Sequence, residues 1–317
     1  MKIVFMGTPE LAATVLESLI RAGHEIAAAV TQPDKPKGRG GAVSCSPVKL
    51  LAVKERIPVY QPVRIRSDEV FLKTLKEISP DVIAVAAFGQ ILPKAVLDIP
   101  KFGCLNVHTS LLPKYRGAAP IQQAILDGEK MTGVTIMYMA EGIDTGDIIL
   151  QRTMPIEADD TGETLTNKLA ALGGELIVEA LAEVQNGTSL RIRQDESKAT
   201  YVGVLKKPMG DMDFTRSAEW LERLVRAMNP WPGAYTRLKG RLLKVWGARV
   251  LPADQAFGDN RGNVPGTVLA SGRDGLYIQT GNGVLVLTEL QFEGRKRMMA
   301  EEFLRGQMVP AGTVLGV

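Results

Sequence analysis

Short apolar runs recur through the first 190 positions, each followed by a segment with helical spacing, and this alternation narrows the fold more than any other feature of the chain. The runs are "KIVFM" (2–6), "EIAAAV" (25–30), "DVIAVAA" (81–87) and "CLNV" (104–107). Unbroken apolarity over so few residues describes strands buried on both faces, and helices between such strands dictate parallel pairing. After "KIVFM", Gly7 reads as a turn, Thr8 as a helix N-cap and Pro9 as the first helical residue. Leu11, Val15, Leu16, Leu19 and Ile20 fall on one face of that helix, and Gly23 closes it. Ser46 caps a second helix running to Arg56, "PVY" is a short strand, and residues 68–78 are helical. "GVTIMYM" (133–139) and "DIILQRT" (147–153) form a closing strand pair, and Thr161 opens a long helix ending near Asn186. The expectation is an α/β fold, a doubly wound Rossmann-like parallel sheet, over residues 1–189.

Beyond Gly187 the pattern changes. The polar stretch "TSLRIRQDESKATYVGVLKKP" reads as a linker, assigned to 190–205. One helix, Ser217 to Met228, stops at "NPWPG", and short alternating strands with glycine turns follow. Such strands predict a small C-terminal β-barrel of the oligonucleotide-binding (OB-like) kind over 206–317. Met298 and Met299 are expected in a final helix packed on it.

Bulk properties exclude several classes. The longest apolar run, Val82 to Phe88, falls far short of the ~20 residues that span a bilayer, and "MKIVFMGTPE" is too short for a signal peptide. Two cysteines, Cys45 and Cys104, make neither a disulfide framework nor a metal site, so a cytoplasmic location and no metal are expected. Gly7-Thr8-Pro9 lacks the glycines of a dinucleotide fingerprint. Residues 206–317 carry 16 Lys and Arg against 11 Asp and Glu, a balance of +5, while the rest, 22 against 24, comes to −2. A basic C-terminal part points to an anionic partner.

The chain has only two histidines, and one lies in "CLNVHTSLLPKYRGAAP" (104–120). Ligands of doubly wound sheets sit beyond the carboxyl ends of the strands. Asn106 and His108, two apart at such an end, point the same way. Taken alone, Asn-x-His describes a turn asparagine and a core histidine as well as it describes a site. "AEGIDTGDI" (140–148) adds Asp144, in a glycine-flanked turn expected at the same edge. An aspartic protease would need a second Asp-Thr-Gly, and there is one. The connection 32–45, "QPDKPKGRGGAVSC", is longer than the usual 2–6 residues. With Lys35, Lys37 and Arg39 against Asp34 it reads as a cationic flap over the same edge.

"NVHTSLLPKYRG", "GVTIMYM…GIDTGDI" and "RAMNPWPGAY" together resemble the folate-dependent formyltransferases, in particular those acting on methionyl-tRNA, over essentially the whole chain. The resemblance implies formyl transfer from 10-formyltetrahydrofolate to the α-amine of initiator methionyl-tRNA. It makes Asn106, His108 and Asp144 the catalytic trio, and Ser110, Leu111, Leu112 and Pro113 a folate-contacting segment. It also implies that Gln90, Ile91 and Leu92 lie near the pterin ring, and that the loop with Lys35, Lys37 and Arg39 grips the tRNA acceptor end. In this reading Asn106 and His108 donate to the oxyanion while Asp144 orients His108 and relays a proton. A small amine acceptor (glycinamide ribonucleotide or an amino sugar nucleotide) is the alternative, and a nucleic-acid-binding module using folate as a sensor is a third. Nothing in the sequence calls for an obligate protein partner or a membrane.

Overall fold

The structure, a computed structural model, describes residues 1–37, 42–252 and 262–317. It divides into two compact units: residues 1–120, 131–155 and 166–202 form unit 1, and residues 121–130, 156–165 and 203–317 form unit 2.

In chain order unit 1 holds β1 (Lys2–Gly7), α1 (Glu10–Arg21), β2 (Glu25–Val30), β3 (Lys35–Lys37), β4 (Ala42–Ser44), α2 (Pro47–Lys54) and β5 (Val59–Tyr60). There follow α3 (Glu69–Ile78), β6 (Val82–Ala86), α4 (Lys94–Leu97), β7 (Cys104–His108) and β8 (Arg116–Gly117). Beyond α5 (Pro120–Asp127), which falls almost wholly in unit 2, come β9 (Met131–Tyr138), β10 (Ile148–Pro155), α6 (Gly162–Asn186, its first turn in unit 2) and β11 (Tyr201–Val202). Seven strands form one sheet in the order β10-β9-β7-β6-β1-β2-β5. The five from β7 to β5 are parallel, whereas β9 and β10 are antiparallel to their neighbours. Every residue of β6 and β7 is buried, as expected of strands covered on both faces. The result is a Rossmann-like α/β unit with a mixed sheet.

The reversed direction of β9 changes one expectation. Leu105 pairs with Tyr138 and His108 with Thr135, so the turn leaving β9 departs at the level of the start of β7, not beyond its end. Asp144 reaches His108 by folding back over the face that Asn106, His108 and Met137 share. Thr8 is not an N-cap: Pro9 holds that position, and the Thr8 hydroxyl donates to the Phe88 carbonyl and accepts from Gln32 N. Ser46 and Asp68 do cap α2 and α3, accepting from Lys49 N and Phe71 N. The long connection after β2 contains a two-stranded antiparallel hairpin, β3 with β4. At its base Asp34 accepts from Lys49 and Gln61, which hold its carboxyl below the usual range.

Residues 190–202, read from composition as linker, are part of unit 1. Ile192 bridges to Ile148, and β11 adds in parallel to β8. In unit 2, α7 (Ala218–Ala227), capped by Ser217, precedes β12 (Ala234–Leu238), β13 (Arg241–Val250), β14 (Val268–Gly272), β15 (Gly275–Gln279) and β16 (Val284–Phe292). These strands pair antiparallel in the order β12-β13-β16-β15-β14 around a core including Leu243, Val245, Leu276, Ile278, Leu285 and Leu287. Among the described residues β12 and β14 do not pair with each other to close the sheet. Met298 and Met299 form a short strand, β17, against β16, and the final helix, α8, starts only at Ala300.

Cys104, buried in β7, has its thiol pushed up to about 12 by burial. At pH 8 about one thiol in 10⁴ would be ionised, and the thiolate is the reactive form. Alkylation of the native chain at that pH is therefore expected to stop at Cys45, which is partly exposed. Mass spectrometry showing both thiols modified before unfolding would contradict this.

Candidate active site

The site is built on the last residues of β7 and on two segments that reach back to them. Asn106 and His108 are 9% and 5% exposed. The segment after β7 turns under the control of Thr135 on β9, a fully buried residue. The Thr135 hydroxyl donates to Ser110 O (2.7 Å) and accepts from Leu112 N (3.2 Å) and Gln151 Nε2 (2.9 Å). Gln151 also donates to Leu112 O at 2.8 Å. Replacing Thr135 by valine keeps the shape and removes every one of the hydroxyl's bonds. A loss of about 1–3 kcal/mol is expected, the range for buried polar groups left unpaired, and urea unfolding measures it. An unchanged midpoint and slope would show that Thr135 does not hold this segment.

Asp144 is held from three sides. Its backbone is left-handed, with φ 52°. Its Oδ2 accepts from Gly117 N at 2.8 Å. Gln194 donates to the Asp144 and Gly146 carbonyls at 2.8 and 2.7 Å. Toward the strand the spacing is looser: Asp144 Oδ1 lies 3.5 Å from Asn106 Nδ2, and Oδ2 lies 3.6 Å from His108 Nδ1. Good hydrogen bonds of these types are about 2.7–3.2 Å. The polar atoms of the trio thus converge without tight hydrogen bonds between them.

The His108 ring is oriented from behind. Its Nε2 is 2.9 Å from Tyr115 O. A carbonyl only accepts, so Nε2 carries a proton and donates. Nδ1 is then the nitrogen that faces Asp144.

A cavity of about 240 Å³ adjoins the trio, lined by Gln90, Ile91, Leu92, Met137, Met139, Ala140, Gly142, Ile143 and Asp144. Ile91 and Ile143 are exposed at 81% and 55%, leaving apolar surface for a flat, mostly apolar ring. Ile91 and Leu92 both line it. Gln90 lines it too, but its side-chain amide is engaged elsewhere: Oε1 accepts from Ile65 N and Nε2 donates to Pro62 O. Ser110, Leu111, Leu112 and Pro113 do not line this cavity. Ser110 is buried, with its hydroxyl donating to Lys114 O, and Leu112 packs with Met137 and Ile148 one layer behind. Lys35 is exposed on β3, while Arg39 and the side chain of Lys37 lie outside the described residues.

Four residues important to the geometry escaped sequence reasoning: Thr135, Gln151, Arg116 and Gln194. Arg116 stood inside the motif-bearing stretch, and a lone charge between Tyr115 and Gly117 was the available signal. It is fully buried, donating to Gln194, Glu196 and Tyr201. Hydrogen bonding to Glu196 raises its already high pKa against the opposing effect of burial. Among the described residues no group of three His, Cys, Asp or Glu could hold a metal ion, and no helix is long and apolar enough to cross a membrane.

Residues 1–181 match the family described as Formyl transferase, and residues 204–308 match Formyl transferase, C-terminal domain. The methionyl-tRNA formyltransferase of Lachnospira eligens is 48% identical over 317 residues, covering 100% of each chain. That of Acetivibrio thermocellus is 48% identical over 316 residues, again covering 100% of each. Among solved structures, WlaRD, a sugar 3N-formyl transferase, superposes with a TM-score of 0.66 at 19% identity over 93% of this chain and 99% of its own. HypX from Aquifex aeolicus in complex with tetrahydrofolic acid gives 0.64 at 18%, covering 96% of this chain and 47% of that one, so the present chain spans about half of HypX. The protein is an enzyme of one-carbon group transfer. The chain belongs to the formyl transferase family.

Proposed function

We propose that the enzyme transfers the formyl group of 10-formyltetrahydrofolate to the α-amine of initiator methionyl-tRNA, in the cytoplasm, with Asn106, His108 and Asp144 as the catalytic trio. The observation that carries this reading is the convergence of Asn106 Nδ2 and His108 Nδ1 on the Asp144 carboxylate, which lines an apolar cavity. Relatives 48% identical from end to end carry that activity in their names.

A free α-amine has a pKa near 8, and the ester beside it lowers that value, so no strong base is needed. The amine nitrogen attacks the formyl carbon, and the carbonyl oxygen becomes an oxyanion. Asn106 Nδ2 donates to that oxygen. His108 Nε2 donates to Tyr115 O, which turns Nδ1 toward the oxyanion, where it donates when it holds a proton. Asp144 accepts the proton leaving the amine and returns it to the folate nitrogen as the carbon–nitrogen bond to folate breaks. Electrons and protons balance with no further reactant.

The folate ring fits the cavity of Gln90, Ile91 and Leu92, and Ser110, Leu111, Leu112 and Pro113 are the folate-contacting segment, with Leu112 packed against Met137 of the cavity wall. Residues 1–189 carry formyl transfer, with 190–202 packed into the same unit, and residues 206–317 act as an OB-like, tRNA-binding domain. Its six-stranded antiparallel sheet and +5 balance support that assignment. Lys35, Lys37 and Arg39 grip the acceptor end.

The test offers labelled 10-formyltetrahydrofolate with methionyl-tRNA, glycinamide ribonucleotide or an amino sugar nucleotide in turn. Label is expected on methionyl-tRNA alone, with kcat/KM for the tRNA falling steeply as salt rises. Label on a small amine and none on tRNA would overturn the reading.

A further inference from the structure

From Leu190 to Lys198 every residue is exposed except one, Gln194, which is 5% exposed. A buried amide in an otherwise solvated run requires partners, and Gln194 has a full set. Its Nε2 donates to Asp144 O at 2.8 Å and Gly146 O at 2.7 Å. Its Oε1 accepts from Arg116 Nε at 3.1 Å and Nη2 at 2.9 Å. A guanidinium can only donate and backbone carbonyls can only accept, so the network itself fixes which end is oxygen and which is nitrogen. Neither a carboxylate nor an amine could fill both roles.

The two carbonyls held by Nε2 flank Thr145, on the turn that carries Asp144 in its left-handed conformation. The carboxylate itself is anchored by Gly117 N, the residue after Arg116. The segment 194–202 therefore grips both the Asp144 turn and the backbone behind His108. On one side Gln194 holds the Asp144 turn. On the other, Thr200 and Tyr201 pair with the Tyr115–Arg116 backbone, whose Tyr115 carbonyl orients His108. Glu196 and Tyr201 fix Arg116, which in turn fixes the Gln194 oxygen.

We propose that Gln194 is a positioning residue for formyl transfer: through its two donors it holds Asp144 at the distance from His108 and Asn106 that the reaction needs. This rests on the formyl-transfer reading of the trio. Gln194 touches no reacting atom, and its effect on rate passes through Asp144.

The substitution Gln194→Glu separates the two halves of the amide. It keeps, and strengthens by charge, the acceptor for Arg116, so the segment stays docked. It removes only the donors to the Asp144 turn and sets a carboxylate against two carbonyl oxygens. Expected are a fall in kcat of at least ~30-fold, since small displacements of catalytic groups cost up to ~10² in rate, a KM for the folate within about twofold of wild type, and a shifted pH–rate profile. In an Asp144→Asn background the same change should cost less than about twofold, because effects that pass through one group do not add. If Gln194→Glu does not fold, Gln194→Met, similar in volume and uncharged, takes its place in the same comparison. Wild-type kcat in the variant that folds, or losses that multiply with Asp144→Asn, would overturn the proposal. A wild-type enzyme that formylates a small amine instead of methionyl-tRNA overturns the acceptor assignment alone, and the Gln194 comparison is then made with that amine. Inactivity on every acceptor overturns both.

Discussion

His108→Ala is expected to lower kcat for methionyl-tRNA formylation by ~10²–10³-fold, the usual cost of losing an oxyanion donor. The change also frees the Tyr115 carbonyl and leaves a small void in a 5%-exposed position. Together these should lower stability by about 1–3 kcal/mol, too little to unfold a chain with cores in both units. Folate affinity should hold, because His108 does not line the apolar cavity. Kinetics and a thermal melt on one preparation check the set. Turnover near wild type with a normal melt would remove His108 from the reaction.

The second large effect is expected at Gly146. An added Cβ there would run into the carbonyl oxygen of Tyr138, a backbone atom at the end of β9 that cannot swing aside. Gly146 also offers its own carbonyl to Gln194. Gly146→Ala must therefore move the turn that carries Asp144, two residues earlier. A destabilisation of about 2–4 kcal/mol is expected, with a kcat loss in the surviving folded fraction. Gly203→Ala is the control, since nothing lies within 4 Å of a Cβ placed there. Denaturant melts that show the two variants alike would mean the turn yields without penalty.

The parts of this protein that periodicity encodes were legible in its sequence. β1, β2, β6 and β7 were readable because burial on both faces leaves an unbroken apolar run, and α7 because its apolar positions recur at helical spacing behind a serine cap. Strand alternation alone puts Asn106 and His108 on one face, and the structure has them there with Asp144 beside them. The direction of β9 left no such trace: a strand's composition is the same whichever way it runs, and so the route by which Asp144 arrives was misplaced. Thr8 carried the chemistry of a cap, but its hydroxyl is taken by Phe88 O and Gln32 N, contacts across the sheet that no local rule reveals. Gln194 was hidden most completely. Its neighbours are solvated, its partners lie about 50 and 78 positions away, and a single buried amide has no sequence signature.

One measurement bears most directly on the account as a whole: single-turnover transfer of labelled formyl from 10-formyltetrahydrofolate to methionyl-tRNA, by wild type and Asp144→Asn side by side, with folate binding measured on both. Wild type should place label on the α-amine of methionine, and Asp144→Asn should transfer it at least ~10²-fold more slowly at saturating folate. Transfer at the wild-type rate by Asp144→Asn, or no label on the tRNA with wild type, would contradict it.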